Sequence, residues 1–204
     1  MAKRVFDVVA ASLGLLLLAP LFVLVALAIR ATSPGPVFFR QERVGLAGRR
    51  FRIVKFRTMR RDAETTGSQL TVGGDVRITT VGAVLRRTKI DELPQLINVL
   101  RGEMSLVGPR PEVPRYVAHY DERQRHVLSV RPGITDPASI AFKDENDLLS
   151  AAADPEEQYL CEVMPRKLEM NLAYLERRSL TSDVAIIVST LLQLVRRRSR
   201  RSGT

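Results

Sequence analysis

The sequence predicts an α+β protein: a mostly helical domain with one β-hairpin, joined to an N-terminal membrane helix. Three observations carry this reading. Residues 8–29 read VVAASLGLLLLAPLFVLVALAI and contain no charge. Residues 37–44 and 50–56 alternate well enough for strands and flank Gly45-Leu46-Ala47-Gly48, the pattern of a hairpin. From residue 80 onward, helical stretches are separated by proline and glycine signals.

The apolar run comes first. About 20 apolar residues suffice to cross a bilayer, so this stretch is long enough to span. A secretory signal is a weaker fit, because a signal's apolar region is usually about 7–15 residues. Pro20 lies inside the run, where proline removes a backbone donor and clashes with the preceding turn. Ser12 and Gly14 would help a bent helix satisfy its backbone. Lys3 and Arg4 precede the run, and Arg30, Arg40, Arg43, Arg49 and Arg50 follow it. Positive flanks favour the cytoplasmic side, and a hairpin lets both flanks lie there while a straight span does not. These features leave a re-entrant hairpin and a kinked spanning helix both open.

The remaining elements follow in order. Ser33-Pro34-Gly35-Pro36 closes the membrane element with a turn. After the hairpin, residues 62–74 are polar and rich in Gly and Thr, and read as a mobile loop. Helices are predicted over residues 80–87 and 91–100, with Pro94 tolerated in a first turn and Gly102 as the stop. Gly108-Pro109-Arg110-Pro111 is a rigid loop. Residues 113–130 read as a polar helix carrying Tyr116, Tyr120 and Val127 on one side. Arg131-Pro132-Gly133 is a turn, and residues 156–175 form a helix kinked or broken by Pro165. Residues 184–195 are apolar, too short to span, and followed by RRRSRR. That pattern suits an interfacial helix whose arginines meet anionic headgroups; a core helix with a solvated tail is the alternative. The chain thus divides into a membrane element, residues 1–32, and one domain, residues 33–204, with no internal repeat.

Composition narrows the partners. The 204 residues carry a formal net charge of +10, with a pI near 10.6, so an anionic partner is expected. Aromatics are 5% and tryptophan is absent, which argues against a base-stacking nucleic-acid surface. The single cysteine, Cys161, excludes an internal disulfide, and no Cys/His cluster suggests zinc. A reducing cytoplasmic setting fits.

One constellation carries chemistry. Arg86, Arg87, Lys89, Asp91 and Glu92 fall close together. Paired carboxylates with Mg²⁺ suit a diphosphate, because that ion prefers carboxylate and phosphate oxygens. An aspartate can also attack phosphorus and form a covalent intermediate. Arginines supply forked donors to phosphate oxygens and spread developing charge. Lys55, Arg57, Arg110 and Arg131 are strand-end or loop cations that could converge on the pair. On spacing alone, a solvated charged helix face explains the cluster equally simply.

Five segments, in order, resemble the monotopic phosphoglycosyl transferases, also called bacterial sugar transferases. They are KRVFDVVAA, PGPVFFRQERVGLAGRRFRIVKFRTM, DVRITTVGAVLRRTKIDELPQLINVLRGEMSLVGPRPE, RPGIT and SDVAIIVSTL. The length is that of the family's minimal catalytic form. The resemblance implies a re-entrant membrane helix broken at Pro20, a cytoplasmic-face domain on the bacterial inner membrane, and amphipathic helices along the interface. It implies Asp91 as nucleophile toward a UDP-sugar, with UMP released and polyprenyl phosphate, undecaprenyl phosphate in the usual case, as acceptor. Glu92 completes the pair and assists proton transfer or Mg²⁺ placement, with Asp91 and Glu92 as the metal-facing carboxylates. Lys55, Arg57, Arg86, Arg110 and Arg131 are the phosphate-binding cations. The membrane is a partner, nucleic acid is not, and a homo-oligomer is compatible. After RPGIT the chain reads DPASI where many members continue with glycine and a Trp/Leu-Gln-Val stretch, so no sugar specificity is carried over. The rivals are a non-catalytic basic membrane protein that binds nucleic acid or anionic lipid, and a polyprenyl diphosphate hydrolase.

Overall fold

The first helix, α1, spans Ala2–Thr32 and sets the layout of the chain. At 1.5 Å per residue its 31 residues extend roughly 46 Å. It is long and apolar enough to cross a membrane, its most apolar 18 residues having a mean hydropathy of 2.7. Pro20 lies within it and does not divide it into two elements; the chain leaves the helix at Ser33, which is extended. The computed structural model describes residues 1–61 and 75–201, with side chains described as far as residue 194. The stretch read above as a loop, residues 62–74, and the side chains of the basic tail therefore lie outside the described residues.

One face of α1 is bare and the other is seated. Val5, Val9, Leu13, Leu16, Leu17, Val23, Leu24 and Leu27 are exposed. On the other face Ala11, Leu15 and Leu18 pack with Ile53, Leu96, Val99 and Met104. Further along, Leu21, Phe22, Val25 and Ile29 pack with Phe56, Leu85 and Val81. The rest of the protein therefore lies along nearly the whole length of α1. Polar contacts pin both ends. Lys3 Nζ meets Asp183 Oδ2 at 2.5 Å. Arg4 donates to the carbonyls of Val99 and Leu100 at 2.7 and 3.1 Å, at the end of a helix where carbonyls lack intrahelical partners. Asp7, almost fully buried, accepts from Ser105 Oγ and Leu106 N. At the far end Arg57 donates to the carbonyls of Ser33 and Pro34.

The expected hairpin is present. Strand β1 (Phe38–Val44) pairs antiparallel with β2 (Arg50–Phe56), in a register that sets Phe38 against Phe56 and Val44 against Arg50. Helix α2 (Thr80–Thr88) begins at Thr79, whose hydroxyl accepts from Gly82 N at 3.0 Å. After a 3₁₀ turn comes α3 (Gln95–Leu100), and the chain then turns at Gly102, φ 81°. Gly102 is thus the stop that the sequence indicates, in a left-handed conformation glycine adopts at little cost.

A second sheet was not anticipated. Strand β3 (Ser105–Val107) pairs in parallel with β4 (Gly133–Thr135). Strands of three residues leave no alternation to read. The pairing is very close: a Cβ on Gly133 would lie 2.1 Å from Gly108 N and 2.4 Å from Gly108 O. Gly133→Ala must therefore push apart the backbone that carries the 108–111 loop. Overpacking of this kind should cost about 1–3 kcal/mol, measurable as a lowered urea midpoint with an unchanged slope.

The helix expected over residues 113–130 is corrected. Only α4 (Pro114–Val117) is α-helical there, and a 3₁₀ turn covers Gln124–Ser129. Between them Asp121 and Gln124 exchange hydrogen bonds, each side chain accepting the other's backbone N–H. This local pairing ends one segment and starts the next. The irregular path lets Tyr116, Val117, Tyr120 and Val127 all enter one core with Val44, Leu149, Tyr159 and Leu168. Short helices α5 (Pro137–Ala141), α6 (Glu145–Ser150) and α7 (Pro155–Gln158) follow. A π-helical turn at Tyr159–Val163 joins α7 to α8 (Met164–Arg177). Pro165 sits in the first turn of α8, so the irregularity lies before the proline rather than at it. The last helix, α9 (Leu180–Arg201), is held by Thr190 to Thr135 and by Gln193 to the Ile140 carbonyl. It leaves Val184, Val188, Leu191 and Leu192 exposed on one face.

Candidate active site

Asp91 and Glu92 lie in the 3₁₀ turn Ile90–Glu92, between α2 and α3. The turn is set by Lys89, which ends α2 in the left-handed conformation at φ 58°, ψ 13°. A non-glycine residue there is uncommon and costs energy, so the reversal is held by its surroundings. Its effect is to turn two consecutive carboxylates inward. Asp91 is 7% exposed and Glu92 8%. The solvated-face alternative is therefore excluded for this pair.

Buried carboxylates need partners, and the two residues differ in theirs. Glu92 Oε1 accepts from Lys55 Nζ at 2.7 Å and from Arg110 Nη2 at 2.5 Å, and its Oε2 lies 3.3 Å from Arg110 Nη1. Burial alone would raise the Glu92 pKa, but Arg110 and Lys55 outweigh it and hold this carboxyl well below the usual range. Asp91 Oδ1 is buried and accepts no hydrogen bond from any described residue. Burial, reinforced by the adjacent Glu92 charge, raises the Asp91 pKa, against the pull of Lys55, Lys89 and Arg86. Lys55 is itself pushed down to about 8, chiefly by burial, with the Glu92 charge opposing the shift.

The cations come from separate elements. Lys55 is on β2, and β2 is tied to α3 by Asn98. Its Oδ1 accepts from Val54 N at 2.9 Å, and its Nδ2 donates to the Arg52 carbonyl and to Glu103. That tie places Lys55 opposite Glu92. Arg110 reaches in from the Gly108-Pro109-Arg110-Pro111 loop behind β3. Arg86, on α2, is oriented by its Nε–H, which donates to Thr58 Oγ1 at 2.8 Å, and its charge acts on Asp91.

The structure thus brings together Asp91, Glu92, Lys55, Arg86 and Arg110. It does not bring in two others. The Arg57 guanidinium closes the end of α1, as described, and Arg131 Nε donates to the Gly102 carbonyl at 2.8 Å. Three polar residues that pack around the site escaped the sequence reading. Asn98 is fully buried within the apolar LINVL stretch, an anomaly of composition that could have revealed it. Arg43 and Glu112 sit 3.8 Å apart beneath the Arg110 loop, and no spacing signal connects them.

The carboxylate pair fits a hard divalent cation in one limited sense. Among the described residues no three His, Cys, Asp or Glu side chains cluster as a complete ligand set. Mg²⁺ does not require one, since it binds through one or two carboxylates and takes its remaining oxygens from substrate phosphates and water. Asp91 Oδ1, buried and unpartnered, is the oxygen suited to it, while both Glu92 oxygens already face cations.

Fold and site together define a class: an α+β domain laid along a membrane-length apolar helix, with a buried acidic pair among fixed cations, an arrangement suited to phosphoryl chemistry. The chain belongs to the bacterial sugar transferase family, whose profile matches residues 1–197. It is 41% identical over 194 residues to the UDP-N-acetylgalactosamine-undecaprenyl-phosphate N-acetylgalactosaminephosphotransferase of Aeromonas hydrophila, covering 93% of this chain and 42% of the relative. It is 40% identical to the UDP-glucose:undecaprenyl-phosphate glucose-1-phosphate transferases of Xanthomonas campestris pv. campestris and Caulobacter vibrioides. These alignments cover 95% of this chain in both cases, and 39% and 69% of the relatives. The chain therefore spans about two-fifths of the length of the first two.

Proposed function

We propose that this chain transfers a sugar 1-phosphate from a UDP-sugar to a polyprenyl phosphate, on the pattern of the undecaprenyl-phosphate transferases it resembles. The observation that carries the reading is Asp91: a buried carboxylate with an unpartnered oxygen, beside a Glu92 fully engaged by Lys55 and Arg110.

The division of labour follows from those contacts. Asp91 attacks the sugar-proximal phosphorus, forming an acyl-phosphate bond as the bond to the UMP oxygen breaks. An oxygen of the polyprenyl phosphate then attacks the same phosphorus and frees the Asp91 carboxylate. Every reactant is anionic, so fixed cations are needed before attack can occur. Arg86 and Arg110 sit where they can take non-bridging oxygens and developing charge. Glu92 holds Lys55 and Arg110 in place between turnovers. Bound Mg²⁺, held by Asp91 with Glu92 nearby, would neutralise diphosphate charge and help UMP leave. The sugar is left open by the site. UDP-glucose and UDP-N-acetylgalactosamine, named in the relatives, head the panel. UMP release from purified protein with Mg²⁺, each UDP-sugar and polyprenyl phosphate tests the reading. Inorganic phosphate released without any nucleotide sugar would instead favour the hydrolase.

The membrane geometry belongs to the same proposal. A helix crossing the bilayer would carry one end away from a domain on the other side. Here both ends of α1 are seated on the domain, at Lys3–Asp183 and at Ile29 with Arg57–Ser33. This weighs against a straight span and, with positive charge on both flanks of the apolar run, favours a re-entrant helix with the domain on the cytoplasmic side. The exposed apolar face of α9 supports an interfacial position for that helix. Cysteines placed near Lys3 and near Gly35 should both resist an impermeant thiol reagent added to intact cells. Labelling at the N-terminal site alone would establish a spanning helix.

A further inference from the structure

One buried polar cluster lies outside the carboxylate pair and has no role in the chemistry above. Tyr159, at the start of the π-helical turn, is buried, and its hydroxyl donates to Glu112 Oε1 at 2.5 Å. The other Glu112 oxygen lies 3.8 Å from Arg43 Nη1 at the end of β1. Arg43 Nη1 also donates to the Pro111 carbonyl at 3.3 Å, and Nη2 to Gln41 Oε1 at 2.6 Å. The Glu112 carbonyl accepts from Val44 N at 2.9 Å. The segment just after Arg110 is thus gripped from β1 on one side and from the π-helical turn on the other.

We propose that Arg43, Glu112 and Tyr159 form a polar strut that fixes the 108–112 loop and so aims Arg110 at Glu92. The loop's sequence makes this effective. Arg110 stands between Pro109 and Pro111, whose rings fix φ and restrict the residue before each. With so little freedom between them, the place where Pro111 and Glu112 are held sets the direction in which Arg110 leaves the chain. The three strut residues are positioning residues: they act through Arg110 and touch no reacting atom. The consequence for turnover rests on the transferase reading, while the consequence for the loop does not.

Two measurements test the strut. Glu112→Gln and Tyr159→Phe are each made in the natural chain and with Arg110→Gln, and kcat/KM is taken from UMP release with the best UDP-sugar. Tyr159→Phe keeps the core filled and so guards against a misfolded Glu112→Gln. Each substitution should cost about tenfold when Arg110 is present and less than about twofold when it is absent, a coupling in the range found for contacting residues. Equal losses in both backgrounds would reduce the cluster to general packing and overturn the proposal. The second measurement is amide hydrogen exchange on the full chain. Exchange at Val44, bonded to the Glu112 carbonyl, should quicken in both variants, while Val54, bonded to Asn98, should not change. Unchanged exchange at Val44 sinks the strut whatever the activity. A natural chain that releases no UMP from any UDP-sugar, but whose variants quicken exchange at Val44, would keep the strut and refute the transferase reading.

Discussion

Asp91→Asn should lower UMP release by several orders of magnitude, up to about 10⁶, the loss found when a protease's nucleophile is removed. The substitution keeps the shape of the side chain and removes its charge and nucleophilicity. The natural chain, mixed with Mg²⁺ and the right UDP-sugar but no lipid, should release about one equivalent of UMP, as a covalent first half-reaction requires. Intact mass should then rise by one sugar phosphate, mapped to Asp91. UMP that appears only with polyprenyl phosphate, with no adduct trapped, would favour direct in-line transfer and leave Asp91 a metal-facing carboxylate. The same residue governs two other measurements. Attack needs the charged form, and burial with Glu92 beside it raises the Asp91 pKa. Activity should therefore fall, as pH is lowered, at a pH above that of an ordinary aspartate. For stability the sign is the reverse. An acid whose folded pKa is raised makes the native state less stable wherever it is charged, so Asp91→Asn should not lower the melting temperature at neutral pH. A marked drop would show that the site does not strain this carboxylate.

Glu92→Gln should be the second most damaging change, with a loss of about 100-fold or more, comparable to removing a preorganised electrostatic group. Its cause differs. The natural Glu92 balances Lys55 and Arg110 at once. Without that charge two partly buried cations repel each other and leave their positions, so the substrate meets a disordered set of donors. The stability change is also opposite to that of Asp91. A carboxyl held well below its ordinary pKa adds stability above the unfolded value and loses it as pH falls through the folded one. Glu92→Gln should therefore unfold more readily at neutral pH, and the gap from the natural chain should close in acid. A Glu92→Gln protein as stable as the natural chain at neutral pH would show that the ion pairs with Lys55 and Arg110 contribute little.

How much could be read beforehand differs from element to element. The membrane-length helix was legible because 22 consecutive residues lack charge, and the hairpin because Gly45–Gly48 separates two alternating runs. The carboxylate pair was legible only through the longer motif around it, since spacing alone fits a solvated face equally well. Burial of that pair depends on Lys89 adopting a left-handed conformation, which no residue type at that position advertises. The β3–β4 pair was illegible because it rests on contact between Gly108 and Gly133, 25 positions apart, rather than on periodicity. The fates of Arg57 and Arg131 were illegible for a related reason. A cation that closes a helix end or bonds a turn carbonyl has the same local sequence as one that binds phosphate.

The pinning of α1 has a further consequence, for the order in which the chain is completed. Its first residues leave the ribosome before the rest of the domain, yet Lys3 waits for Asp183, 180 positions later. Arg4 waits for Val99 and Asp7 for Ser105. The far end of α1 finds Phe56 and Leu85 much sooner. Contacts between such distant positions carry a large loop-closure entropy and form late. Helix α1 should thus settle from its C-terminal end toward its start, and the domain cannot lock until nearly all of it has been synthesised. Chains that stop before residue 183 should keep the Phe22–Phe56 contact but leave residue 3 open to protease.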